Sequence, residues 1–222
     1  ESKQINKSPF TETKFLELVK NLSNQNDFED FKKGYCIDEG ILYNIGSRDY
    51  VDYRPSLKTT QKALEKRSVY SLELDSLTYE QVKKLLKDKQ YKDAIIKKSD
   101  YSISLNLPNN YDLYLKNLGK KKRHELKRKK SKFKTQLYEV ELKSDNDQLI
   151  FNKFVEQHKL SDGKKGSFMN EEVEVFFQNL LTIKGWKIYF IENDNELISS
   201  AFVYENKKGC YLYNSTKNSQ FD

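Results

Sequence analysis

Cysteine is scarce in this chain, with only Cys36 and Cys210 in 222 residues. The two stand far apart and match no metal-ligand spacing, which argues against a disulfide framework and against a structural zinc site. Reduced thiols and no bound metal are expected. Long hydrophobic runs are missing as well. No apolar stretch approaches the roughly 20 residues that a spanning helix requires, and the N-terminus, Glu1-Ser-Lys-Gln, lacks the features of a signal peptide. A cytoplasmic location is the resulting expectation. The hydrophobic fraction is low, at 36%, yet 15 Tyr and 13 Phe supply large apolar surfaces, so the composition describes a folded, very polar protein and not a disordered one. The length fits one large domain or two small ones. A first residue that is not Met and an abrupt end at Phe221-Asp222 lead to the expectation of a fragment or processed product.

Against 33 Asp and Glu stand 40 Lys and Arg, a modest net charge of +7. The positive charge is local, since the run Lys120-Lys-Lys-Arg-His-Glu-Leu-Lys-Arg-Lys-Lys130 and its continuation to Lys134 hold a large share of it. A solvated helical face accounts for such a run. Nucleic acid, or an anionic membrane surface, would also be attracted by it. The tyrosines of this region, Tyr111 and Tyr114, precede the run and are not interleaved with it, which counts against base stacking and makes nucleic acid the weaker partner.

The spacing of Phe15, Leu18, Val19 and Leu22 after Thr11 predicts a capped helix ending near Ser23. Tyr35 to Ile45 alternates around Asp38-Glu-Gly40, a hairpin signal. A helix is expected over 56–66 and a strand over 69–74. An amphipathic helix is expected over 78–88 and a strand over 101–107, which stops at Pro108. A long helix then runs from about Asn110 to Phe133. Beyond it the pattern predicts a strand over 137–142, a helix over 145–159 with Phe154 and Val155 on its apolar face, and a polar loop over 161–167. A second helix follows with a buried stripe of Val173, Phe176, Phe177 and Leu180. Three strands close the chain, over 186–192, 197–205 and 209–214, with turns at Asn193-Asp-Asn195 and Asn206-Lys-Lys-Gly209.

The order Leu107-Pro108, Tyr111, Tyr114, Leu118, then Lys120-Lys-Lys-Arg-x-Glu-Leu-Lys-Arg128 resembles the junction between the two halves of bacterial acyltransferases of the GNAT superfamily. The likeness is to the group encoded in cellulose and exopolysaccharide operons, itself related to the Fem-type peptidyltransferases. The order strand, helix, helix and three strands over 137–214 is likewise the opening of the GNAT fold. The resemblance implies an α/β protein of two GNAT-like halves with mixed sheets, the C-terminal one truncated. The expected division is residues 1–109, a basic connecting helix over 110–134, and residues 135–222. Both helices of the second half, around Phe154 and Phe177, are expected to pack on its sheet. The implied activity is transfer of an acyl group from acyl-CoA (acetyl-CoA), or of an aminoacyl group from tRNA, to an amine or hydroxyl on a sugar or other glycan or cell-envelope precursor. In that family the pyrophosphate of coenzyme A rests on a loop and helix after the last of these strands. Here that segment would lie beyond Asp222, so weak coenzyme A binding is expected.

Within the resemblance, His158 corresponds to a cleft-facing histidine that could take a proton from an acceptor amine. A histidine near the end of a helix also serves as a dipole partner or packing residue, and that reading stays open. Tyr213 and Asn214 fall on the strand that borders the thioester and exposes backbone groups to the cofactor. Arg123 is the acceptor-side candidate, because a guanidinium fork pairs bidentately with carboxylate or phosphate. Lys164, Lys165 and Phe168 lie in the loop that lines the acceptor side. That loop, Gly163-Lys-Lys-Gly166, lacks the preceding strand and the Gly-Lys-Ser/Thr ending of a phosphate-cradling loop. No Ser-His-Asp or Cys-His arrangement stands out, so a covalent nucleophile is not expected. A nucleic-acid-binding protein and a non-catalytic GNAT-like binding module are the competing classes.

Overall fold

A computed structural model describes residues 9–22, 35–38, 40–44, 70–98, 101, 103–136, 143–145, 147–207 and 209–221. The helix expected over 56–66 and the strand expected over 137–142 lie outside these residues. The chain forms two compact units that interleave in sequence, one of residues 1–99 with 163–186 and the other of residues 100–162 with 187–222.

In the first unit a single 3-10 turn, Pro9–Thr11, leads into helix α1, Thr13–Leu22. The first helical hydrogen bond runs from Leu16 N–H to the Glu12 carbonyl, so the helix starts one residue after the expected Thr11 cap. Phe15, Leu16 and Val19 are buried on one stripe, as their spacing requires. Strands β1 (Tyr35–Asp38) and β2 (Ile41–Asn44) pair antiparallel, with Asp38 opposite Ile41. Gly40 in the connection has φ of 76°, a conformation that a glycine adopts without the Cβ penalty. Strand β3, Ser71–Glu73, lies parallel to β2, which makes this three-stranded sheet the mixed one. Its core is Leu42, with Ile37, Leu72 and Leu74 packed around it.

Helix α2, Tyr79–Leu85, begins at a full capping box: Gln81 N–H donates to the Thr78 hydroxyl at 3.2 Å, and Thr78 N–H donates to the Gln81 side chain at 2.8 Å.

Two stretches depart from the periodicity that predicted them. Residues 101 and 103–107 form no strand. Their odd-numbered apolar side chains stand in solvent, Ile103 being 91% exposed and Leu107 71%. Alternation is a necessary pattern for a strand, but a strand also needs a hydrogen-bonded neighbour. The single long helix expected from Asn110 is two. Helix α3 (Tyr111–Asn117) is capped by the Asn110 side chain on Leu113 N–H, and Leu118 then turns extended at ψ of 145°. Helix α4 (Lys120–Gln136) restarts with Arg123 N–H on the Gly119 carbonyl.

The second sheet has the order β4-β5-β6-β7, formed by Lys143–Asp145, Trp186–Asn193, Glu196–Asn206 and Gly209–Lys217. The pairs β4–β5 and β6–β7 are antiparallel. Asp194 and Asn195, with φ of 48° and 65°, form the tight turn between β5 and β6. Helix α5, Gln148–Lys159, is capped by Asp147 and packs on β6 and β7. It buries Ile150, Phe151, Phe154, Val155 and His158, the faces that an i, i+4, i+8 repeat brings together.

The expected loop over 161–167 contains a short helix, α6, Lys164–Phe168, entered through Gly163 at φ of 64°. Helix α7, Glu171–Leu181, is capped by Asn170 and carries the predicted stripe. Its partner within the first unit is α1: Phe15 meets Phe176 edge-on at 5.9 Å and stacks on Trp186 at 5.8 Å. Aromatic edges and faces thus fill this core where aliphatic residues are few.

Candidate functional site

The polar floor beneath α5 and the strand that carries it define the candidate site. Three polar or charged groups tie α5 down. On its outer row, Lys153 Nζ donates to Glu192 Oε1 at 2.7 Å and to the Asn195 carbonyl at 2.8 Å, which fixes the helix to the β5–β6 turn. One turn later Gln157 Nε2 donates to the Leu197 carbonyl at 2.7 Å. On the inner row Phe154 lies 5.6 Å from Phe202 of β6, and His158 follows one turn on.

His158 is 1% exposed. Its Nε2 stands 3.0 Å from Asn214 Oδ1 on β7, and its ring meets Phe154 edge-on at 5.7 Å. Two of the residues singled out in the sequence are therefore in direct contact.

Register explains how β7 presents Asn214. Phe202 opposes Asn214, but Val203 opposes Leu212, so Tyr213 is an extra residue inserted in β7. This is a β-bulge, and a bulge re-aims a side chain and interrupts the ladder. Among the described residues β7 has one neighbour, β6, and forms the edge of its sheet. Backbone groups on the outer side of an edge strand are open to a partner. Tyr213 itself is half-buried. Ser215 N–H donates to Asn214 Oδ1 at 2.6 Å, which folds the carboxamide back on its own strand.

On the same face of the sheet as Phe202 and Asn214 lie Ser200 and Thr216, cross-strand partners that are 3% and 2% exposed. Their hydroxyls find no hydrogen-bond partner among the described residues. Buried hydroxyls in that state mark a place where water or a polar ligand atom is accommodated at low cost. Ser200 was legible as the polar member of the Ile198/Ser200/Phe202 alternation, but its pairing with Thr216 depends on register.

A second cluster joins β5 and β6. The Tyr189 hydroxyl donates to Glu205 Oε2 at 2.8 Å and Lys187 Nζ donates to the same oxygen at 3.0 Å. The hydrogen bond from Tyr189, then that from Lys187, holds the Glu205 carboxyl below its ordinary pKa. The hydrogen bond to Glu205 raises both Lys187 and Tyr189. All three groups are partly solvated, so this cluster orders the sheet surface and stores little energy.

The remaining candidates are placed as follows. Arg123 is half-buried on α4, on one stripe with half-buried Leu126 and Phe133, while most of the other α4 side chains are exposed. Lys130 sits over the Tyr111 ring at 4.9 Å and Lys129 pairs with Glu125 at 3.3 Å. Lys164 and Lys165 are exposed on α6 in the first unit, and Phe168 lies edge-on to Phe177 at 6.4 Å. Cys210 is an exposed free thiol. Among the described residues no cluster of His, Cys, Asp and Glu is arranged to hold a metal ion, and no helix is long and apolar enough to cross a membrane.

The architecture is mixed α/β, with a helix packed on an antiparallel sheet whose edge strand is bulged. Residues 120–222 match the family model described as Acetyltransferase (GNAT) domain. The match covers just under half of the chain and supports the GNAT superfamily for its C-terminal part. No curated protein matches the chain.

Proposed function

We propose that the chain is an acyltransferase that takes an acyl group from acyl-CoA, acetyl-CoA being the simplest donor, and places it on an amine or hydroxyl of a sugar or cell-envelope precursor. The observation that carries this reading is the bulge at Tyr213 on an edge strand, within the stretch that matches the acetyltransferase model. Acyl-CoA would supply an acyl group already activated as a thioester. Such transfer asks little of a protein beyond placing the amine, offering backbone donors to the carbonyl, and removing one proton. Tyr213 and Asn214 supply the backbone groups, and the bulge sets Tyr213 out of the regular register with β6. His158 takes the proton. Arg123 is the acceptor-binding candidate on α4, and Lys164, Lys165 and Phe168 are those on α6. In this reading 1–109 and 135–222 are two GNAT-like halves joined by 110–134, of the exopolysaccharide-operon type related to the Fem-type enzymes, acting in the cytoplasm.

The test is consumption of acetyl-CoA by the chain in the presence of amino-sugar acceptors. His158→Gln is expected to lower turnover by about a hundredfold or more, the usual scale of a lost general base. Turnover unchanged by that substitution removes His158 from the mechanism. Acetyl-CoA binding without turnover on any acceptor supports a non-catalytic module.

One observation favours a second contact. Helix α4 has ten basic residues and one acidic one, whereas the whole chain has a net charge of +7, so the rest of the chain is slightly acidic. An exposed helix of that charge attracts an anionic membrane surface, or a nucleic acid less specifically, and such binding weakens steeply with added salt.

A further inference from the structure

We infer that Asn214 is a positioning residue that holds His158 as the Nε2–H tautomer and leaves Nδ1 as the basic nitrogen. A backbone N–H can only donate, and that of Ser215 lies 2.6 Å from one terminal atom of the Asn214 side chain. That atom is therefore the carboxamide oxygen, whichever way the amide would otherwise turn. The same oxygen lies 3.0 Å from His158 Nε2. An amide oxygen brings no proton, so the proton between them belongs to Nε2. In a neutral imidazole the other ring nitrogen then keeps the lone pair.

The ring is closely packed. His158 is 1% exposed, and Phe154 presses on it at 5.7 Å with the planes 65° apart. The bulge completes the device, because the extra residue Tyr213 sets the register at which Asn214 meets Phe202 and so the point at which its side chain reaches α5. Asn214 thus acts through His158. For an acceptor's proton the basic atom is Nδ1, which is itself buried. That last step rests on the acyltransferase reading, whereas the tautomer does not and can be measured with neither donor nor acceptor present.

The experiment is imidazole-nitrogen NMR on the isotope-labelled chain, above the titration range of the imidazoles. The chain has two histidines, so His124→Gln leaves only the signals of His158. The expected spectrum has Nε2 protonated and Nδ1 unprotonated, with that tautomer in excess by about tenfold, the scale of one buried hydrogen bond. Asn214→Asp keeps an oxygen acceptor and retains the same tautomer. Asn214→Leu removes the acceptor and reduces the excess by about tenfold. Should the leucine variant fail to fold, Asn214→Ser, which shortens the acceptor out of reach, gives the same loss. An Nδ1–H tautomer in the unsubstituted chain, or a tautomer ratio that no Asn214 substitution alters, overturns the inference.

Discussion

Helices α4 and α5 lie in the same unit and make opposite use of their surfaces. Helix α5 buries five residues, including His158, and is bonded at its polar edge to the β5–β6 turn and to β6. Helix α4 has no fully buried side chain among those described and is charged around most of its circumference. The contrast separates stability from recognition. Substitutions on α5 should unfold the protein, while substitutions on α4 should leave the fold alone and change only what the surface attracts.

The largest effect should come from Phe154→Ala. Phe154 is 0% exposed and touches Phe151, His158 and Phe202, so truncation removes an aromatic ring from between helix and sheet. A loss of about 3–5 kcal/mol is expected in denaturant unfolding. A loss comparable to a surface substitution would mean that α5 does not hold the sheet. Next in size is His158→Leu, which keeps the volume but takes the Nε2 partner away from half-buried Asn214. About 1–3 kcal/mol should be lost, and pairing it with Asn214→Leu should recover part of that.

A smaller effect belongs to Glu205. Its carboxyl is held below its ordinary pKa by Tyr189 and Lys187, so its contribution is present above the unfolded carboxylate pKa and is lost as pH falls through the lowered folded value. Lys187 and Tyr189, both raised, contribute below their unfolded values and lose that contribution as pH rises through the folded ones. With side chains 33% and 38% exposed for the Lys187–Glu205 pair, Glu205→Gln should cost no more than about 1 kcal/mol near neutrality. Urea melts at descending pH should show the difference from the parent shrinking in acid. Smallest per site is the triple reversal Lys129→Glu, Lys130→Glu and Lys132→Glu. Stability should move by only about 0.5 kcal/mol per site, while binding to anionic vesicles should fall sharply in low salt. Marked unfolding by this variant would erase the contrast between the two helices.

Much of the second unit was legible because its signals are local. The stripe Ile150, Phe154, His158 specifies α5, and Asp194-Asn195 specifies the turn between β5 and β6. The same holds for the stripe of α7. What could not be read depends on partners distant in sequence. Alternation at Tyr101, Ile103, Leu105 and Leu107 looks like a strand, but no residue pattern states whether a neighbouring strand exists. The break at Leu118 was hidden because Gly119 serves both inside a helix at a cost and at its N-terminal cap. His158, Tyr213 and Asn214 were each legible as candidates, but the contact between His158 and Asn214 needs the extra residue in β7, and register is not written in composition. Glu205 with Tyr189 and Lys187 escaped for the same reason.

The central claim is that the bulged edge of β7, and not the charged surface of α4, receives the acyl donor. Backbone amide NMR during titration with acetyl-CoA tests it most directly, repeated at high salt to remove attraction between phosphate and lysine. The account predicts shifts at Leu212, Tyr213, Asn214 and Ser215 that persist in salt, with α4 amides returning to their free positions. Shifts confined to α4 and abolished by salt, with β7 unmoved, would contradict it.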